Sequence, residues 1–420
     1  PLDYDRGNFI KLMETFDDTM DTKYSMNSVE RILDKIDEIS INEQYQSIKA
    51  SVVEEIVDDK INLIFKIEET EKFYLHKVNI FGNNITEESV IRNQLIIDEG
   101  DPYNEILLNK SINNIKQLNF FRSVRHEVLE ENNLDKIINI YVEEKPTGEI
   151  AAGAGFGTGG GTIFFNVKEN NYLGRGIELD TSLQLSPQSV KGAFRTTNHN
   201  FKNTNKSVFF SIEADEVDRL TNFGYKSNKT GFSVGTKFEY LDDLRLGLGT
   251  SSYYERIETD STASVRQKKQ EGDYWDTFLN IDFIHDKRNQ RYRATNGHIS
   301  NYSINLPIIS SNYSLTSGYG YKAYTELFEN NISTIAFSLK GASSLTGKDV
   351  KLSERLYIPA NNLRGFEQGK VGPKDGDDFV GGNFITTMNM TSTLPQIFSN
   401  LQSVDFSLFF DAANIWGVDY

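Results

Sequence analysis

From residue 149 to residue 415 the chain alternates apolar and polar positions with a period of two. Phe232, Val234, Thr236, Phe238 and Tyr240 interleave with Gly231, Ser233, Gly235, Lys237 and Glu239. Leu244, Leu246 and Leu248 interleave with Arg245, Gly247 and Gly249, and Phe406, Leu408 and Phe410 with Asp405, Ser407 and Asp411. Successive side chains of a strand point to opposite faces, so each segment has one apolar face and one face mixing glycine with charge. A soluble sandwich seldom sets charges such as Lys237 and Glu239 opposite a continuous apolar stripe in strand after strand. A transmembrane β-barrel with a polar lumen does so throughout. About thirteen antiparallel strands are predicted, near 149–157, 161–169, 175–185, 189–198, 206–217, 228–240, 244–257, 274–285, 297–307, 313–328, 331–343, 382–394 and 402–415, at roughly the length of a tilted spanning strand. An odd number with an open edge does not close in lipid, so the final strands are expected to be missing from this chain.

Before Pro146 the pattern is different: glycines are few and helical spacing recurs. A domain boundary is placed at Lys145–Gly148, with the barrel domain over 146–420. Residues 73–145 read as one module. An extended segment from Phe73 to Phe81 ends at Gly82-Asn83-Asn84, and Thr86 is placed to cap a helix through Leu95, with Glu87 and Glu88 complementing its dipole. Asn104 caps a second helix in which Leu108, Ile112, Ile115 and Leu118 fall on one face. Strands follow at 122–130 and 136–144, giving the α+β order β-α-α-β-β. Residues 1–72 read as a partial copy, with helical patterns near 7–16 and 27–39 and strands near 46–56 and 60–69. Tandem modules of this period suggest a binding array.

Composition narrows the class. The 420 residues carry 44 Lys+Arg against 60 Asp+Glu, a net charge of -16, which argues against a nucleic-acid footprint. No apolar run approaches the roughly 18 residues of a membrane-spanning helix. With no cysteine there is no disulfide framework and no thiolate metal site.

One interruption of the hairpin rhythm, about 344–381, is far longer than a hairpin loop, and such loops are commonly functional. It carries Leu363-Arg364-Gly365-Phe366-Glu367-Gln368-Gly369-Lys370-Val371-Gly372-Pro373. If this loop enters the lumen, the Arg364 guanidinium is partly desolvated and needs a bidentate carboxylate, for which Asp411 lies on the correct face of its strand. The alternative is a solvated surface loop in which Arg364 pairs with nothing.

The Leu-Arg-Gly-Phe segment with Gly372-Pro373 behind it resembles the (V/L)RG(F/Y) signature in the sixth extracellular loop of the BamA-type outer-membrane assembly and secretion barrels. Asn171-Tyr172-Leu173-Gly174-Arg175-Gly176 resembles the NxLGxG turn of that family. Gly381-Gly382-Asn383 and Phe409-Phe410-Asp411-Ala412-Ala413-Asn414-Ile415-Trp416 resemble the strands after the loop, and the β-α-α-β-β modules resemble POTRA domains. The resemblance covers essentially the whole chain. It implies a sixteen-stranded barrel, of which about thirteen strands are present, preceded by upstream POTRA units. It also carries the loop arginine over to Arg364 and the lumenal aspartate to Asp411. A second family acid falls at Thr391, which has no charge, so Asp405 is an alternative partner. Thr197-Asn198-His199-Asn200-Phe201 stands where the family has a TNPYF-like turn, without its proline.

What the resemblance implies of function is an insertase in the outer membrane of Gram-negative cells, with its POTRA domains in the periplasm. Its partners would be unfolded outer-membrane protein precursors, outer-membrane lipid, periplasmic assembly lipoproteins and the upstream POTRA units, with no nucleotide, nucleic acid or cofactor. Burial of strands in lipid is itself downhill, so such a machine has only to lower a kinetic barrier. The seam is expected at the first barrel strand, with Ile150, Gly153, Gly155 and Gly157, because glycine weakens a strand. Precursors would pair there and at a POTRA edge strand bearing Val124, His126 and Val128, by strand addition. Two alternatives remain: a polypeptide secretion pore or autotransporter-assembly relative, and a passive porin-like channel in which Arg364 tunes selectivity.

No catalytic set emerges, and the chain is not expected to be an enzyme. Gly155-Phe156-Gly157-Thr158-Gly159-Gly160 matches G-x-G-x-x-G but opens no helix, and reads as a glycine-rich hairpin. Histidines 76, 126, 199, 285 and 298 show no metal-ligand spacing, and no nucleophile elbow occurs. The acid pairs Glu68-Glu69 and Glu143-Glu144 read as solvated strand ends.

Overall fold

In a computed structural model, the residues described are 29, 32, 33, 35, 36, 48–57, 60–69, 73–132, 135–157, 160–241, 243–290, 294–328, 331–367, 369–394 and 406–418. The chain forms two compact units, residues 1–147 with 173–176, and residues 148–172 with 177–420. The helical pattern near 7–16 and residue Asp405 lie outside the described residues. The pattern near 27–39 is helical at the five positions described there, with Val29, Ile32 and Ile36 buried.

In the first unit, β1 (Ile48–Val57) and β2 (Lys60–Glu69) form an antiparallel hairpin. The module that follows runs β3 (Tyr74–Phe81), α1 (Glu88–Arg92), α2 (Glu105–Gln117), β4 (Phe121–Asn132) and β5 (Asp135–Glu144). Its sheet has the order β3-β5-β4, with β5 parallel to β3 and antiparallel to β4. Alternate residues Ile138, Ile140 and Val142 of central β5 meet Leu108, Ile112 and Ile115, which share one face of α2. That apolar layer is the module's core.

Two local expectations are corrected. Helix α1 starts at Glu88, after an N-cap Glu87 that makes no side-chain cap bond, and it ends at Arg92 rather than Leu95. The next residues tighten into i→i−3 bonds, Gln94 to Ile91 and Leu95 to Arg92, a common way to satisfy terminal carbonyls. Asn104, by contrast, does cap α2: its Oδ1 accepts from the Leu107 amide at 3.3 Å.

Glu144 is also no solvated strand end. Its carboxylate accepts from the amides of Asn84 (3.0 Å), Ile85 (3.0 Å) and Thr86 (2.6 Å), closing the turn between β3 and α1. Burial pushes this carboxyl up, and the hydrogen bonds from Thr86, Ile85 and Asn84 outweigh it, leaving Glu144 below the ordinary glutamate range. A depressed carboxyl stabilises the fold above its unfolded pKa and loses that contribution as pH falls through its folded value. Glu144→Gln is therefore expected to cost the module about 1.5 kcal/mol at pH 7, with the difference from wild type shrinking as pH falls below the ordinary glutamate range in urea titrations.

The second unit is one thirteen-stranded antiparallel sheet. Its first nine strands are β6 (Gly148–Gly157), β7 (Gly160–Tyr172), β8 (Ile177–Ser186), β9 (Ser189–Asn198), β10 (Ser207–Arg219), β11 (Tyr225–Leu241), β12 (Leu244–Thr259), β13 (Gly272–Asp286) and β14 (Gly297–Ile309). Next come β15 (Ser314–Thr325) and β16 (Ser333–Ser344), and the sheet continues after the long loop with β19 (Phe384–Thr393) and β20 (Ser407–Trp416). The loop contains a short hairpin of its own, β17 (Lys374–Asp375) with β18 (Asp378–Phe379).

The register sorts the faces. Ile150, Ala152 and Ala154 stand opposite Val167, Phe165 and Ile163, and the same face continues through Ile212 with Phe232, Phe238 with Leu246, and Phe337 with Met388. Of these, Ile150, Ile163, Phe165, Val167, Ile212, Phe232 and Phe337 are exposed, and Phe238, Leu246 and Met388 half-buried. That outer face is a band of apolar surface, the pattern of a membrane barrel wall. The inner face carries Asp180 bonded to Asn166, Lys168 paired with Glu178, and Asn280 bonded to Asn305. No helix among the described residues is long and apolar enough to cross a membrane, which says nothing of crossing by strands.

Candidate functional site

The long loop, residues 345–383, lies against the inner face of its own sheet. Apolar residues of the loop, Leu356, Ile358, Leu363 and Val371, pack with Ile385 of β19 and with Ala413 and Ile415 of β20. At its neck Leu356 and Gly382 exchange both backbone hydrogen bonds at 2.9 Å. This seats Arg364 over the two strands that follow the loop.

Asp411 is reached by alternation along β20, on the same face as Phe409, Ala413 and Ile415. Arg364 grips it three ways: Nε to Oδ2 at 2.7 Å, Nη2 to Oδ1 at 2.6 Å, and its own backbone amide to Oδ2 at 3.0 Å. The side chain of Asp411 is 3% exposed and that of Arg364 33%. The two parallel N–H···O bonds are the fork geometry that only a guanidinium offers a carboxylate. The Asp411 hydrogen bonds hold the Arg364 guanidinium above its ordinary value despite partial burial.

The residues around this pair complete the site. Asn389 of β19 donates to Asp411 Oδ1 at 2.7 Å and to the Asn362 carbonyl at 2.9 Å. Asn362 donates in turn to Thr387 and Asn389 at 3.0 and 3.1 Å. Thr391, standing where the family has a second acid, accepts from Arg364 Nη2 at 3.3 Å. The guanidinium stacks 3.8 Å from the ring centre of Phe409, a cation–π contact. So one aspartate, two asparagines, two threonines and a phenylalanine share the work expected of two acids.

The remaining motif residues are placed differently. Phe366, two residues after Arg364, is 60% exposed and takes no part in the clamp. Gly365 and Gly372 have φ of +89° and +123°, and a Cβ at Gly372 would stand 2.7 Å from Ile415, so this turn presses onto β20 as only glycine can. The Pro373 carbonyl accepts from the Val380 amide at 3.1 Å, closing the β17–β18 hairpin.

In β6 the register puts Gly153, Gly155 and Gly157 on the inner face and Ile150 on the outer. The Phe164 ring of β7 lies over Gly153, where a Cβ would come within 2.5 Å, whereas nothing stands within 4 Å of a Cβ at Gly155. Gly157 pairs with Gly160 at the hairpin end, so the G-x-G-x-x-G stretch joins two strands. In the first unit, Val124, His126 and Val128 stand opposite Val142, Ile140 and Ile138 along β4, an edge of its sheet; the two valines pack on the core and His126 is exposed. The clamp, the β6 glycines and the β4 edge are three separate places. Among the described residues no group of three or more His, Asp or Glu side chains is arranged to hold a metal ion.

The sequence reading missed a second ion cluster under the loop. Lys351 Nζ lies 2.6 Å from Glu255 of β12 and 2.5 Å from Asp276 of β13, with Glu354 at 3.6 Å. The signal available was two acids at inward positions of adjacent strands.

Comparison with known proteins agrees with this architecture. Residues 171–420 match the Omp85 superfamily domain, and residues 73–145 match the POTRA model described as a surface antigen variable number repeat. The outer membrane protein assembly factor BamA of Neorickettsia risticii is 24% identical over 372 residues, which is 86% of this chain and 49% of that protein. The BamA of Nitratidesulfovibrio vulgaris is 23% identical over 345 residues, 79% of this chain and 42% of the relative. The chain spans about half the length of the curated relatives it matches. The crystal structure of BamA from Haemophilus ducreyi lacking POTRA domains 1-3 superposes with a TM-score of 0.74 at 20% identity, covering 94% of this chain and 82% of that one, a likeness of fold. With its POTRA module and its thirteen-stranded sheet of the BamA barrel type, the chain belongs to the Omp85 superfamily.

Proposed function

We propose that this chain is the working core of an outer-membrane assembly factor that catalyses no covalent reaction, but lowers the barrier to folding and inserting β-barrel precursors. The proposed site of action is β6, in the outer membrane, fed from the POTRA modules in the periplasm. The observation that carries this reading is the bare inner face of β6, where Gly153, Gly155 and Gly157 supply no side chain to grip the wall. A strand so lightly packed is easily parted from a neighbour, and its backbone then becomes a template for an incoming strand. The β4 edge offers the same backbone recognition to an extended segment before it reaches lipid. Pairing of backbone groups in lipid is strongly favourable, so no nucleotide is needed. The names of the BamA relatives support the same reading.

The test uses the full-length protein in liposomes and the folding rate of a urea-denatured outer-membrane barrel. Acceleration that is lost when residues 1–145 are removed is the expected result. A conducting pore with no acceleration would favour the secretion or channel alternatives. Gly155→Val is a sharper probe, because nothing within 4 Å obstructs the new Cβ. Valine favours the strand by up to about 1 kcal/mol, so the variant is expected to fold normally yet accelerate precursor folding several-fold less.

A further inference from the structure

We propose that Lys351 is a second, permanent anchor of the long loop, so that the loop braces the inner face of the sheet at two places, β12–β13 and β19–β20. This goes beyond the assembly function and does not depend on it.

The Lys351 site is built more tightly than the Arg364 clamp. Side-chain exposure is 3% for Lys351, 1% for Glu255 and 3% for Asp276. Each acceptor oxygen of the two wall acids is occupied. Glu255 takes the Ser227 hydroxyl at 2.6 Å on one oxygen, with Lys351 and the Ser353 hydroxyl (3.0 Å) on the other. Asp276 takes the Ser310 hydroxyl at 2.6 Å on one oxygen and Lys351 on the other. Burial alone would lower the ammonium, yet Glu255, Glu354 and Asp276 together hold Lys351 above the ordinary lysine range. Five elements thus converge around a single cation: β12, β13 and the loop's own first limb directly, and β11 through Ser227 and the turn after β14 through Ser310.

Apolar packing also touches both walls, with the limb itself bridging them. Leu352 and Tyr357 of the first limb, with Phe379, sit with Phe223, Tyr225, Ile257 and Tyr274 at the β11–β13 wall, whereas the end of that limb, Leu356 and Ile358, joins Leu363 and Val371 at the β19–β20 wall. The two feet differ in their access to water. Arg364, one-third exposed, can exchange Asp411 for solvent, whereas Lys351 has no solvent to exchange for. A buried charge cannot leave its partners without a large desolvation penalty. Release of Arg364 therefore frees the tip, residues 359–373, and leaves the limb, residues 346–358, in place.

Hydrogen–deuterium exchange on the full-length protein tests this with wild type, Arg364→Ala and Lys351→Met. Methionine keeps the length of the lysine stem, so packing alone predicts no change. Expected are a rise of about tenfold or more in exchange of 359–373 in Arg364→Ala with 346–358 within about twofold of wild type, and a rise of about tenfold in both segments in Lys351→Met. Equal exposure of both segments in Arg364→Ala, or a limb in Lys351→Met as protected as in wild type, overturns the proposal. If Lys351→Met does not accumulate as heat-modifiable protein, Glu255→Gln cuts the same pair from β12 and is read by the same two outcomes.

Discussion

Arg364→Ala is expected to loosen the loop tip by about 3 kcal/mol, because it strands a carboxylate that is 3% exposed. The loss combines three terms: two charge-assisted hydrogen bonds to Asp411, the stack on Phe409, and the desolvation penalty of the orphaned acid. The estimate sits at the low end for a broken buried pair, since the guanidinium is one-third exposed and water enters its place. Arg364→Lys should recover only part of it, for an ammonium cannot reproduce the fork or the flat stack. Asp411→Asn with Arg364 intact should also be costly, because its single amide oxygen can accept from Asn389 or from the Arg364 amide, which use different carboxylate oxygens, but not from both. The measurements are trypsin resistance of residues 359–373 and heat-modifiable mobility of the barrel. Unchanged protease resistance in Arg364→Ala would show that apolar packing alone seats the loop.

Gly82→Ala is expected to destabilise the POTRA module by a similar amount, about 3 kcal/mol, from strain in a left-handed backbone and from overpacking. Gly82 has φ of +90°, and a Cβ there would stand 2.0 Å from the carbonyl oxygen of Val142. That oxygen is backbone of central β5, so relief requires β3 and β5 to part. Both tryptophans, Trp275 and Trp416, belong to the second unit, and their fluorescence transition in urea should not move. Amide exchange along Asp135–Glu144 should rise on the order of a hundredfold, the equivalent of that free energy. A wild-type exchange pattern in β5 would refute the close approach at Gly82.

The strands were legible because a wall with lipid on one side and polar groups on the other imposes period two on every segment. Where that contrast fails, the ends drift. Strand β11 begins at Tyr225 rather than near 228 because Tyr225 and Ser227 are covered by the loop and by the β12 acid, so no outward stripe marks them. The pairing of Arg364 with Asp411 followed from the inward phase of Asp411 and from the family motif. Its supporting residues did not, because Asn362, Asn389 and Phe409 become partners only after the loop has folded back. Lys351 was opaque for the same reason: its acids are 75 and 96 residues away along the chain. The role of Glu144 was misread because a strand-terminal acid looks solvated until the turn it closes is seen.

The paired backbone at the neck of the long loop, Leu356 with Gly382, has a consequence for how such sequences diverge. It closes the excursion upon itself before β19 starts, so the phase of β19 is set at the neck and does not depend on what lies between. Lengthening the closed segment adds only about 0.6 kcal/mol of closure entropy per doubling. The β17–β18 turn, between Asp375 and Asp378, is thus free to grow or change charge while the wall keeps its register. The tip of that hairpin can then be rewritten by insertion or exchange without renegotiating the fold that holds it.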